Sequence, residues 1–156
     1  MALTGRTGTC FRVSSDDRAN YGTIVIRNSL PPVTELPPNA LIVVVDDDVF
    51  ERMGASDMFL DAGYQVLEAG NADEALRFFE TNADVRLLFT DVSMPGSMSG
   101  SDLAHQVAER WPRVGIIIAS GRPRPCKLPS NMLFHDKPYE PAAVLRQARE
   151  MTTQLG

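Results

Sequence analysis

Residues 41–48 read LIVVVDDD, a run of five apolar residues that passes directly into three adjacent carboxylates. A continuous β-branched run of this kind fits a strand buried on both faces, as in a parallel sheet covered by helices. The acids at its end need a separate explanation. Two carboxylates about 4 Å apart repel by roughly 4 kcal/mol at an effective dielectric of about 20, so such a cluster is solvated, partly protonated or bridged by a cation. Solvent exposure and a metal site are the two readings.

Downstream, strand-like and helix-like segments alternate. The pattern predicts a helix over roughly 49–62, with Val49, Met53 and Leu60 turned inward and Gly63 ending it. YQVLEA (64–69) reads as a second strand. Asn71 then caps a helix with the apolar stripe Ala72, Ala75, Leu76 and Phe79, and Glu74 stands in capping-box position. VRLLFT (85–90) is a third strand, and a helix over about 100–111 collects Leu103, Ala104, Val107, Ala108 and Trp111 on one side. VGIIIAS (114–120) and the shorter MLFHD (132–136) supply a fourth and a fifth strand. The last helix opens with Pro141 in its first turn and buries Val144, Leu145, Ala148 and Met151. Strands alternating with helices imply an α/β domain whose parallel sheet is covered on both faces and joined by right-handed crossovers. Asp46 and Asp47 then end the first strand, Asp91 the third, Ser120 the fourth and Lys137 the fifth. Ligands of open α/β sheets bind beyond the carboxyl ends of the strands, so these five side chains should converge.

The chain of 156 residues, 44% hydrophobic and 22% charged, suits one globular domain. Composition changes near residue 40. Residues 1–40 hold one weak strand-like run, TIVIR, and the proline clusters LPP and ELPP, which predicts a mostly disordered N-terminal extension with a stiff linker, followed by a folded domain over 41–156. That domain is acidic, with 11 Lys and Arg against 17 Asp and Glu. Apolar stretches are too short to span a bilayer and the N-terminus lacks a signal-peptide core, which predicts a cytoplasmic protein without a membrane partner. The net charge of −5 argues against a nucleic-acid partner. Cys10 and Cys126 lack metal-ligand spacing and read as reduced thiols.

The segments VVVDDD, LLFTDVSMPG, IIIASG and KPY stand in an order and at a spacing that together resemble the receiver domain of bacterial two-component response regulators, over about residues 41–151. The resemblance implies a flavodoxin-like, doubly wound five-stranded parallel sheet in the order 2-1-3-4-5. It also implies that Asp91 is the phosphoacceptor, that Asp46 and Asp47 are the acidic pair holding Mg²⁺, that Ser120 is the switch hydroxyl and that Lys137 contacts the phosphoryl group. Phe134 matches the aromatic that changes rotamer with Ser120, the Lys137–Pro138 bond is expected to be cis, and a histidine kinase or histidine phosphotransfer protein is the expected donor. Asp48 falls at a position the family leaves variable and reads as a helix cap. His105 reads as exposed, and His135 as a substitution at a position that is usually apolar.

The chemistry suits these residue types. A carboxylate attacking phosphorus meets a group rich in negative oxygens, so catalysis is mainly positioning and charge neutralisation. Mg²⁺ takes oxygen ligands and keeps several waters. Direct ligation is assigned to Asp47, Asp91 and the backbone carbonyl of Ser93, with Asp46 acting through water. A stand-alone, monomeric receiver is expected, catalysing only its own phosphorylation and dephosphorylation, with output through contact with an unknown downstream protein. A binding module that is never phosphorylated and a Mg²⁺-dependent phosphohydrolase are the alternatives. Prolines 123, 125 and 129 crowd GRPRPCKLPSN (121–131), where most receivers place a fourth helix. Proline removes a backbone donor and biases the residue before it away from helix, so that helix is expected to be reduced or absent.

Overall fold

The computed structural model describes residues 39–123 and 131–154. Nearly all of the N-terminal extension, Cys10, Cys126 and the proline-rich stretch 124–130 therefore lie outside the described residues. Five strands, β1 (Leu41–Val45), β2 (Gln65–Ala69), β3 (Val85–Asp91), β4 (Gly115–Ser120) and β5 (Met132–Asp136), alternate with α1 (Val49–Asp61), α2 (Ala72–Thr81) and α3 (Gly100–Arg110), and α4 (Pro141–Gln154) closes the chain. All pairings are parallel, in the order β2-β1-β3-β4-β5. Among the described residues no helix lies between β4 and β5.

The central strands read as continuous apolar runs because both faces are covered. Val43, Val45, Leu88, Ile116 and Ile118 pack against Ala75 and Phe79 of α2 and Leu103 and Val107 of α3. Their neighbours Ile42, Val44, Leu87, Phe89 and Ile117 point the other way, toward Ala55 and Phe59 of α1 and Val144 and Ala148 of α4. This alternation is the period-2 geometry of a strand carried through two cores. Just ahead of β1, buried Ala40 accepts the Gln65 N–H and Asn39 the Gln65 side-chain amide.

Caps follow local chemistry. Asp48 is the N-cap of α1, accepting the N–H groups of Phe50 and Glu51, and Gly63, with φ of 90°, follows its end. Asn71 caps α2 through the Glu74 N–H, but the Glu74 carboxylate reaches the Gly70 N–H, one residue short of closing the expected box. A complete capping box forms instead between Ser99 and Asp102 at α3.

The inward face of α1 differs from the sequence expectation. Val49, Met53 and Leu60 are each about half exposed, while Ala55, Ser56 and Phe59 are buried. Apolar residues surround this helix, so its periodicity selects no face. The face is chosen by Phe59, whose ring meets Tyr64 at 6.0 Å and Phe89 at 5.4 Å edge-on, and by small Ala55 and Ser56, which allow the helix to approach the sheet. In α4, Val144, Ala148 and Thr152 are buried, and Leu145 and Met151 are only partly so.

Candidate functional site

The carboxyl ends of β1, β3, β4 and β5 bring together the residues singled out in the sequence. One carboxylate oxygen from each of Asp46, Asp47 and Asp91 lies within 4.8 Å of the others. Lys137, immediately after β5, places its Nζ 3.2 Å from Oδ2 of Asp46 and 3.6 Å from Oδ1 of Asp91. The Lys137 backbone N–H donates to the Ser120 carbonyl at 2.9 Å, which ties the lysine to the end of β4, and the Lys137–Pro138 peptide is cis.

The three acids are held differently. Asp46 is buried and oriented: Oδ1 accepts the Asp48 N–H at 2.9 Å, Oδ2 faces Lys137, and its carbonyl accepts Arg52 at 2.7 Å. Burial raises the Asp46 pKa, and the nearby Asp91 charge adds to that, while the Asp48 N–H and Lys137 work against it. Asp91 is buried at the end of β3, and Asp47 is exposed. Burial alone would depress Lys137, but Glu51, Asp46 and Asp91 outweigh it and hold the ammonium above its ordinary range.

Ser120 is buried and its Oγ accepts the Arg122 N–H at 3.1 Å; Phe134 on β5 is half-buried against the core beside α2 and α3. Ser93 follows β3 on the exposed loop. Asp48 serves as the helix cap and lies outside the acidic cluster. His105 is exposed, its Nδ1 2.7 Å from the Ser101 carbonyl, and His135 is half-buried with its ring against Gln147. A cleft of about 550 Å³ bordered by Asn39, Gln65, Asn82 and Arg86 contains none of the predicted site residues.

Three residues of the site escape a reading of the linear pattern. Glu51, in the first turn of α1, also pairs with the Lys137 ammonium. Tyr139 packs edge-on to Phe89 at 5.5 Å, and burial raises its phenol pKa. Gly100 lets α3 start directly beneath Asp91: a Cβ there would fall 1.6 Å from the Asp91 carbonyl oxygen. Its place at a helix start, ahead of a capping-box acid, is the only signal the sequence offers for it.

Residues 42–127 match the response regulator receiver domain family. This chain belongs to that family. The receiver is 28% identical over 118 residues to the chemotaxis protein CheY of Thermotoga maritima, covering 71% of this chain and 96% of that one. It is 29% identical over 112 residues to the sensor kinase CckA of Brucella abortus (strain 2308), covering 70% of this chain and 12% of the kinase. The chain thus spans only a small part of that relative. The solved receiver domain of a hybrid histidine kinase CckA superimposes with a TM-score of 0.62 at 25% identity, covering 72% of the receiver and 99% of that structure. A receiver protein from Sinorhizobium medicae shares the fold with a TM-score of 0.68.

The donor set also fits a hard divalent cation. Asp46, Asp47 and Asp91 offer carboxylate oxygens with no histidine or thiolate among them, which suits Mg²⁺ over zinc. No described helix is long and apolar enough to cross a membrane.

Proposed function

We propose that this receiver is a phosphorylation-dependent signalling switch that accepts a phosphoryl group on Asp91 from a histidine kinase or histidine phosphotransfer protein. The observation that carries the reading is the approach of Lys137 Nζ to Asp91 Oδ1, at 3.6 Å, beside a three-carboxylate cluster. A carboxylate nucleophile, a fixed cation and a metal-binding acid pair are the parts an in-line phosphoryl transfer needs.

In the forward step a carboxylate oxygen of Asp91 forms a bond to phosphorus as the phosphorus–nitrogen bond of a phosphohistidine breaks. The released imidazole nitrogen takes up a proton. Lys137 neutralises the incoming phosphoryl oxygens and Ser120 donates its hydroxyl to one of them. Asp47, Asp91 and the Ser93 carbonyl would ligate Mg²⁺ directly and Asp46 through water; the ion supplies charge neutralisation at the phosphoryl oxygens. Phe134 then repacks as Ser120 moves, and output is a contact made by the receiver surface. Activity of this chain is confined to its own phosphorylation and dephosphorylation, in a cytoplasmic setting. The kinship with the CckA receiver and with CheY supports a histidine-type donor.

Incubation with a small phosphodonor and Mg²⁺, followed by intact-mass measurement, tests the reading. One added phosphoryl group is expected in the wild type and none in Asp91→Asn. An adduct that survives Asp91→Asn would refute the site. A purely protein-binding module would take up no phosphoryl group under either condition.

A further inference from the structure

The geometry points to Glu51 as a positioning residue: an internal carboxylate latch that occupies the Lys137 ammonium while Asp91 is unphosphorylated and is displaced by the phosphoryl group. This inference rests on the reading of Asp91 as the phosphoacceptor.

Lys137 has three N–H donors and faces three carboxylates: Asp46, Asp91 and Glu51. Two of its donors are hydrogen-bonded, to Asp46 and Glu51, with Asp91 3.6 Å away, before any phosphoryl group arrives. Glu51 reaches it for a specific reason. As the third helical residue after the Asp48 N-cap, Glu51 stands where a glutamate ordinarily turns back to the N-cap N–H. Here that N–H is already taken by Asp46 Oδ1 at 2.9 Å. The neighbouring cation Arg52 is committed to the Asp46 carbonyl and to Glu68. With its local partner taken, Glu51 extends across the site to a lysine 86 positions away.

The same contacts decide which carboxylate gives way. Asp46 is fastened by the Asp48 N–H and its side chain is only 9% exposed, whereas the Glu51 side chain is 54% exposed and water can receive it. When a phosphoryl group sits on Asp91, Lys137 exchanges the Glu51 contact for a phosphoryl oxygen. Until then Glu51 adds a fourth negative charge at the mouth of the site, beside Asp46, Asp47 and Asp91, and opposes anionic donors.

The test compares full-length wild type with Glu51→Gln at saturating Mg²⁺, using acetyl phosphate, a dianion, and phosphoramidate, a monoanion. With acetyl phosphate the new bond joins an Asp91 oxygen to phosphorus, the bond from phosphorus to the acetyl oxygen breaks, and acetate leaves with the electron pair. Removing one like charge several ångströms away should speed phosphorylation by acetyl phosphate about 3- to 10-fold, and by phosphoramidate to a smaller degree. A general disturbance of the helix would change both donors alike. Independently, the ¹⁵N signal of the Lys137 ammonium in the unphosphorylated protein should broaden in Glu51→Gln, because a neutral amide oxygen, a weaker acceptor for an ammonium, replaces one of the two carboxylates that hold it. If Glu51→Gln folds poorly, Glu51→Ala, which keeps the Asp48 cap, serves the same comparison. Equal rates and an unchanged ammonium signal, with the adduct still on Asp91, would overturn the latch and leave the receiver reading standing. No adduct on Asp91 in either protein would overturn both.

Discussion

Lys137 and Asp91 lie 46 residues apart in sequence, yet Lys137 Nζ stands 3.6 Å from Asp91 Oδ1 and 3.2 Å from Asp46 Oδ2. One ammonium therefore balances carboxylates from two strands. Lys137→Ala leaves those acids facing one another without a cation. The side chain is 21% exposed, so screening trims the cost of a buried unpaired charge to about 1–2 kcal/mol. Chemical denaturation without Mg²⁺ should show that loss, and added Mg²⁺ should recover most of it. A variant as stable as wild type in the absence of Mg²⁺ would mean that the acids do not depend on Lys137.

The three acids that follow β1 separate by role. Mg²⁺ that binds only the folded state adds about 2.7 kcal/mol at a hundred times its dissociation constant. Asp47→Asn should abolish most of that gain. Asp48→Ala should leave it intact while costing about 1 kcal/mol in every condition, through loss of the α1 cap. Melting temperatures with and without Mg²⁺ distinguish the two. Mg²⁺ stabilisation that disappears in Asp48→Ala would place the third acid at the metal instead of at the helix.

Phosphoryl lifetime should respond to two positions at the rim. Among the described residues nothing lies within 4 Å of a Cβ placed on Gly121, directly after Ser120, so Gly121→Val is expected to add a shield. It is expected to slow hydrolysis several-fold. Ser93 is exposed two residues after Asp91 and offers no base; Ser93→Glu supplies one and should speed the loss. Intact mass followed over time gives both rates. Loss unaffected by either change would mean that water reaches the phosphoryl group by another route.

The face of α1 offers a test of packing. Phe59 is fully buried between Tyr64 and Phe89, so Phe59→Ala should cost about 3–5 kcal/mol. Leu60 is half exposed, and Leu60→Ala should cost less than about 1 kcal/mol. Urea midpoints of the two variants decide it. Equal losses would restore Leu60 to the core.

That helix also marks where sequence reasoning stops. The strands are legible because β-branched runs such as Ile116–Ile118 favour strand, and the strand ends alone put Asp46, Asp91 and Lys137 at one end of the sheet, where they meet. The orientation of α1 was not legible, since a helix with Val49, Phe50, Met53, Phe59 and Leu60 around its circumference presents several equivalent stripes. Glu51 was invisible for a different reason. Its partner is 86 residues away, and its local signature is that of a capping-box glutamate whose expected donor is taken by Asp46. Gly100 likewise reveals its purpose only through the Asp91 carbonyl pressed against it.

The cap at the start of α3 should make stability depend on pH. Ser99 and Asp102 form a reciprocal box: the Ser99 hydroxyl donates to Asp102 Oδ2 at 2.7 Å, the Ser99 N–H does so at 3.2 Å, and Ser99 Oγ accepts the Asp102 N–H at 3.2 Å. The hydroxyl bond first, then the backbone bond, hold the Asp102 carboxyl below its ordinary range. A folded-state pKa below the unfolded one contributes stability that is present above the unfolded value, about 3.9, and is lost as pH falls through the folded value. Asp102→Asn removes that contribution, so wild type should be the more stable near pH 7, with the two curves converging as pH falls below the ordinary carboxylate range. Urea midpoints across this range check the sign. A gap that stays constant with pH would show that the Asp102 charge plays no part in the cap.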